Sequence, residues 1–445
     1  MRAAPSYPSR AIARPGPPKG GTPNGNRGFA FAAGGRVRSV RGVSDGKVES
    51  SAAGIETRPA GAAREERIHA LDNLRAVAMW LGIVLHAGIS FMLLETPWPV
   101  RDVARHWSFD VLVGAIHGFR MQLFFFLAGF FARLLHERLG AWGFAKHRLL
   151  RIGVPLVAGM VVILPMVGAL WFWGMSQREN PIVLPFEQRP RLGSIPSGHL
   201  WFLQYLLVFY ALSMGVVAAG GRLPTRVLAA GDRAFDWLFR TRMRALWWVP
   251  PTVVCLWNGP MWGEVEAAGM DSVIRLRVVG YYGLFFVAGW WLHRRRLWLG
   301  ELSRCLKMSF GVAVVTLLVH WSLLSAALKP EHPHYTGLKV VSLSCAALYA
   351  WLMTFAVTGW FLRFAGQHRP WVRYLADASY WCYLLHLVPV MWLQIVLGQW
   401  RVNGWLKFAL MNVVTMVFLL VSYHWCVRFT FIGTVLNGRR TRGAL

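Results

Sequence analysis

The sequence predicts an all-α, polytopic integral membrane protein: a helical bundle of about ten transmembrane helices with both termini cytoplasmic. Three observations carry this. Of 445 residues, 55% are hydrophobic and only 15% charged, which leaves too little polar surface for a soluble globule of this length. Apolar runs near the ~20 residues needed to cross hydrocarbon recur along the chain. Lys and Arg gather in alternate connections, as cytoplasmic loops require.

Residues 1–67 are rich in Pro, Gly, Ser, Ala and Arg, have no sustained apolar period, and read as a disordered basic tail. The tail has no apolar core of a secretory signal. Its Arg content suits an organellar transit peptide, but Glu49, Glu56, Glu65 and Glu66 argue against one. The expected spans then run 72–94, 107–132, 152–174, 199–219, 245–262, 276–293, 308–328, 338–362, 374–398 and 405–431. Pro250, Pro251, Asn258, Gly259 and Pro260 interrupt the fifth, which suits a broken or re-entrant segment. Together the spans form one domain over 68–436, followed by a basic tail at 437–445.

Connections near 133–151, 220–244, 293–307 and 363–373 are strongly basic, as are both tails, and those between them are mixed, acidic or short. The 175–198 stretch departs from this pattern with several Arg, offset by Glu179 and Glu187. The net charge of +28 therefore reports orientation in a lipid bilayer, and no nucleic-acid partner is expected. Five cysteines stand singly and no metal site is expected. Oligomeric state is left open.

The first span carries Asp72, Arg75 and His86. At ~100° per residue, eleven steps return Arg75 and His86 to one face, ~16 Å apart along the axis. Ionisable groups inside a span are costly and usually face a protein interior or a water-filled cavity. With the helix entering from the cytoplasm, Arg75 lies at the inner interface and His86 a little past the midplane. A neutral imidazole there is a candidate general base, and the plainer alternative is an interhelical hydrogen bond.

The runs RIHALDNLRAVAMWLGIVLHAGISFM, IHGFRMQLFFFLAGFFARLL, RLLRIGVPL, GHLWFLQYLLVFY and DASYWCYLLHLVPV resemble the membrane-bound acyltransferase 3 family, nearest its glucan succinyltransferase type. Arg75 and His86 match the family's Arg-x10-His pattern, and Arg148 and Arg151 its Arg-x-x-Arg pattern. The resemblance implies transfer of an acyl group from cytoplasmic acyl-CoA, succinyl-CoA or acetyl-CoA, to a carbohydrate hydroxyl handled across the membrane. A bacterial inner membrane is the implied location, and no permanently bound cofactor is implied.

Within that expectation His86 is the base or a covalent acyl carrier, and Arg75 is the second catalytic candidate and a further candidate for the CoA phosphates. Arg148 and Arg151, one turn apart, suit the CoA phosphates, although loop arginines also serve as positive-inside anchors. His117 and Arg120 are adjacent on the second span, where pairing with Asp110, Asp72 or His86 would lower their cost. His199, Trp201 and Gln204 lie near the expected outer mouth, suited to a sugar or to an interfacial aromatic belt. His386 in the ninth span is the next candidate for substrate contact, and Ser379 lacks the GxSxG context of a nucleophile. A proton-coupled secondary transporter of a carbohydrate or organic anion would use the same intramembrane His and Arg, but no internal repeat is visible.

Overall fold

The computed structural model describes residues 60–178, 195–222, 224–241, 243–259, 263, 265, 271–327, 332–367 and 369–438. Helix is their only regular secondary structure. In chain order the helices are α1 (Ala60–Ile89), α2 (Trp107–Arg148), α3 (Val154–Ala158), α4 (Leu164–Ser176), α5 (Trp201–Gly220), α6 (Thr225–Arg240), α7 (Arg244–Trp247) and α8 (Val249–Leu256). They continue as α9 (Leu276–Arg294), α10 (Leu299–Leu302), α11 (Leu306–Ala327), α12 (Tyr335–Phe364), α13 (Pro370–Leu385), α14 (Leu387–Leu397), α15 (Gly404–Ser422) and α16 (Phe431–Asn437).

Among the described residues five helical stretches are long and apolar enough to cross a membrane: 107–176, 198–220, 306–324, 335–364 and 404–427. Helices α13 and α14 meet the same requirement together, as a pair bent by 61°. The first stretch has 70 residues and would be ~105 Å long if straight, far beyond a ~30 Å hydrocarbon core. It turns instead at Gly140, whose φ of 68° and ψ of 177° lie in a region open essentially to glycine alone.

Three elements differ from expectation. Helix α1 begins at Ala60, so 60–67, read above as tail, is helical; AGAAREER needs no apolar period because Ala, Arg and Glu favour helix intrinsically. Residues 1–59 lie outside the described residues, as do most of 175–198 and 439–445. Helix α1 also stops at Ile89 rather than 94, because the Asp110 carboxylate accepts from the Leu93 and Leu94 N–H groups and draws the chain into a turn. His86 therefore sits in the last turn of its helix. The ninth segment, expected as one helix, breaks between α13 and α14. Pro389 lies just past the break, and its missing N–H cannot continue the helical ladder. In the fifth segment Pro250 and Pro251 fall in the first turn of α8, where proline is tolerated, and the division is at Trp248.

The centre of the bundle is the crossing of α2 and α9. A Cβ on Gly129 would collide with the Phe286 carbonyl, and one on Gly289 with the Phe126 carbonyl. Both sites read Phe-x-Ala-Gly, so the two backbones touch through the same pattern on each side, with Phe125, Phe126, Phe285 and Phe286 buried around them. Close backbone approach through small residues is how helices associate without a hydrophobic driving force.

Side-chain contacts sort the connections into two ends. At one, Asn73 bonds the Ala365 carbonyl at 3.0 Å, Arg75 lies over Phe131, Tyr380 bonds the Arg151 carbonyl at 2.8 Å, and Asn437 bonds the Asp377 carbonyl at 2.8 Å. At the other, the 90–106 connection is tied to α14 and α15. Lys407 meets Asp102 at 2.5 Å and also bonds the carbonyls of Trp400 and Leu397, and both charged residues are only 2% exposed. Burial pushes the Asp102 carboxyl up from its ordinary value, against the Lys407 and Ala104 hydrogen bonds that pull it down.

Candidate active site

The break after α13 frees backbone carbonyls inside the bundle, and histidines fill them. His386 Nδ1 lies 2.7 Å from the Tyr383 carbonyl, and His199 Nε2 lies 2.9 Å from the Leu384 carbonyl. A carbonyl only accepts, so each of these ring nitrogens carries the hydrogen, and in the neutral ring each opposite nitrogen is a bare lone pair. Those two nitrogens, His386 Nε2 and His199 Nδ1, are buried and without a hydrogen-bond partner.

His86 completes the group. Its ring centroid is 5.2 Å from that of His386, which is 5.4 Å from that of His199. His86 Nδ1 is likewise buried without a partner. The Trp98 indole, carried by the 90–106 connection, stacks on the imidazole at 5.6 Å and 25°. Gln394, completely buried on α14, holds both: its Nε2 donates to the His86 carbonyl at 2.8 Å, and its Oε1 accepts from Trp98 Nε1 at 3.0 Å. Arg178 donates to the Trp98 carbonyl at 2.6 Å, pinning the same connection from α4's side.

Of the other expected residues, Arg120 and His117 on α2 lie within electrostatic reach of His86. The expected carboxylate partners of Arg120 are engaged elsewhere, Asp110 with the Leu93 and Leu94 N–H groups and Asp72 with Arg75 at 3.5 Å. Trp201 packs among Phe125, Phe202, Tyr205 and Tyr282. Gln204 donates to the Ser272 carbonyl at 2.6 Å, tying α5 to the segment before α9. Neither of these two has a contact with His86 among the resolved bonds and ring pairs, and Tyr383, whose hydroxyl donates to the His199 carbonyl at 2.7 Å, stands closer to the group.

The arginine pattern assembles at the opposite end of α1. The Arg75 guanidinium lies over the Phe131 ring at 5.5 Å, and Arg148 donates to the Phe131 carbonyl at 3.4 Å while stacking on Tyr210 at 4.6 Å. Arg151 is within electrostatic reach of Arg75 and Arg148. No carboxylate pairs with Arg148 or Arg151 among the described residues. A small recess of about 10 Å³ lined by Asp72, Asn73, Arg369 and Arg373 lies at this end.

Chemically, then, three imidazoles with unpartnered nitrogens stand at one end of α1, and a guanidinium cluster, in which Arg75 meets Asp72 while Arg148 and Arg151 have no carboxylate partner among the described residues, stands at the other. Sequence reasoning reached His86, His199, His386 and the arginines. It missed Trp98, Gln394, Asp102 and Lys407; a glutamine and a lysine inside apolar spans were the available signals.

An acyltransferase domain model, the acyltransferase 3 family, matches residues 68–424. Among curated proteins, the chain is 31% identical over 151 residues to the glucans biosynthesis protein C of Salmonella schwarzengrund (strain CVM19633) and to that of Salmonella typhimurium, and 30% identical to that of Salmonella paratyphi B. Each alignment covers 34% of this chain and 39% of the relative, so the matched region spans about two fifths of those proteins. No solved structure matches. The match across most of the chain, over the span that holds His86, His386 and the arginine cluster, means that this protein belongs to the acyltransferase 3 family.

Proposed function

We propose that the chain is a membrane O-acyltransferase that moves a succinyl or acetyl group from cytoplasmic acyl-CoA to a hydroxyl of a glucan or another envelope carbohydrate. One observation carries this: a cluster of unpartnered imidazole nitrogens around His86, set ~16 Å along α1 from Arg75 and the paired Arg148 and Arg151. That separation suits an extended pantetheine arm, with phosphates among the arginines and thioester beside His86. His86 takes the proton of the attacking hydroxyl; bare nitrogens on His386 and His199 accept hydrogen bonds from neighbouring hydroxyls of the sugar. In this reading the chain crosses a bacterial inner membrane about ten times, with both termini cytoplasmic and the 90–106 connection outside. Gathering of the basic connections at the Arg75 end supports that orientation.

The break between α13 and α14 favours one other reading, a proton-coupled transporter, because transporters build sites at interrupted helices. Purified protein in nanodiscs, given labelled acyl-CoA and a panel of oligosaccharides, separates the two. Acceptor-dependent CoA release that His86→Ala lowers by ~10²–10⁴ supports transfer. Sugar flux into liposomes without thioester cleavage supports transport and overturns it.

A further inference from the structure

We infer that Arg120 is a catalytic residue of this reaction, whose guanidinium receives the oxyanion formed when the hydroxyl attacks the thioester carbonyl beside His86. The inference rests on the acyltransferase reading.

Its position comes from Gly82. A Cβ on Gly82 would collide with Arg120 Nη1, so the guanidinium lies directly against the α1 backbone where the missing side chain makes room. Gly82 precedes His86 by one turn on the same face, ~6 Å along the axis. Side chains on a helix lean toward its N-terminus, so the His86 imidazole leans over the turn that the guanidinium occupies.

Arg120 is also a cation without a counter-charge. Its resolved polar contact is a 3.5 Å approach of Nη2 to the Met121 thioether, and its Nε is buried without a partner. No carboxylate pairs with it among the described residues. A guanidinium in this state is expensive inside a protein unless an anion forms beside it.

Four nearby donors are committed. The Trp98 indole bonds Gln394, the Gln394 amide bonds the His86 and Ala87 carbonyls, the Gln122 amide bonds Tyr281, and the Tyr383 hydroxyl bonds the His199 carbonyl. The free nitrogens of His386 and His199 are lone pairs and cannot donate to an anion. Arg120 is the cation at this position whose guanidinium no carboxylate or carbonyl engages among the described residues, which suits it to developing negative charge.

The step balances as follows. The acceptor oxygen forms a C–O bond to the thioester carbon, its proton passes to His86, and the carbonyl π pair moves to oxygen as an anion against Arg120. That pair then returns, the C–S bond breaks, and the departing CoA thiolate takes the proton from His86.

The test uses the full chain in nanodiscs with acetyl-CoA and succinyl-CoA as alternative donors and gluco-oligosaccharides as acceptor. Arg120→Gln is expected to lower kcat about a hundredfold with both donors and to change donor KM little, as loss of an oxyanion donor does. Arg120→Lys is expected to restore part of the loss. Gly82→Ala leaves Arg120 in place but displaces its guanidinium, and is expected to lower kcat in the same donor-independent way; this keeps the idea testable where the Arg120→Gln protein does not fold. A loss confined to succinyl-CoA would overturn the inference, because Arg120 would then be reading the donor's carboxylate. Raised KM at unchanged kcat, or full activity in Gly82→Ala with Arg120→Gln also active, would overturn it too. Wild-type protein that releases no CoA with either donor would instead defeat the acyltransferase reading.

Discussion

Gln394 donates to the main-chain carbonyl of His86 across a 2.8 Å bond while its other atom accepts from Trp98, so one amide positions both the end of α1 and the ring lying on the imidazole. Replacing it with Leu keeps the volume and removes every one of these bonds. Gln394→Leu is expected to lower kcat about tenfold and apparent stability by about 1–3 kcal/mol, the cost of leaving buried groups unpaired. Steady-state rates and thermal unfolding of the same preparation check it; an unchanged kcat would deny the amide any positioning role.

The buried pair of Asp102 and Lys407 anchors the connection that carries Trp98. Removing one charge strands the other, so Asp102→Asn or Lys407→Met alone is expected to cost about 3–5 kcal/mol. The double variant is expected to cost less than the sum, since neither charge is then left buried alone. Additive losses across the cycle would show that the two do not act as a pair.

At the crossing of α2 and α9 the obstruction to any side chain is main chain, which cannot rotate away. Gly129→Ala and Gly289→Ala are each expected to abolish recovery of monodisperse protein or lower its unfolding temperature steeply. By contrast Gly168→Ala, at a site where a Cβ meets nothing within 4 Å, is expected to be tolerated, and size-exclusion profiles of the three discriminate.

If the arginine cluster holds CoA phosphates, its loss must matter only for a donor that has them. Arg148→Gln and Arg151→Gln are expected to raise donor KM about tenfold or more for acyl-CoA, from the loss of a charge-assisted bond. With S-acyl pantetheine, which lacks the nucleotide and its phosphates, KM is expected to stay as in wild type. Equal effects on both donors would assign these arginines to structure instead.

How much of this was visible in the chain follows from what each feature depends on. The helical membrane class follows from composition and run length, which are local quantities. His86 and Arg75 stood out because a charge in an apolar run is anomalous on its own. The meeting of His86 with His199 and His386 was hidden, because it depends on a break in the ninth segment that juxtaposes residues about 100 to 300 positions apart. Pro389 marked the break, yet proline within spans is common enough that the mark was weak. The expected pairing of Arg120 with Asp110 failed for a related reason: Asp110 lies nearly three turns nearer the helix start, where free N–H groups of the turn after α1 compete for its carboxylate. Gly82 looked like any glycine in an apolar helix until the guanidinium was found against it.

The histidines at the break between α13 and α14 serve two masters through opposite edges of one ring. One nitrogen completes the backbone of the bundle and the other is left without a protein partner, free for the acceptor in the proposed reaction. A substitution that removes the ring therefore unstitches the fold and disarms the site together, and inactivity alone says nothing about which was lost. The informative replacement is one that keeps an N–H donor on the carbonyl while altering the remaining edge, asparagine for the Nδ1 of His386 and glutamine for the Nε2 of His199, and this scaffold makes such asymmetric variants the natural unit of experiment.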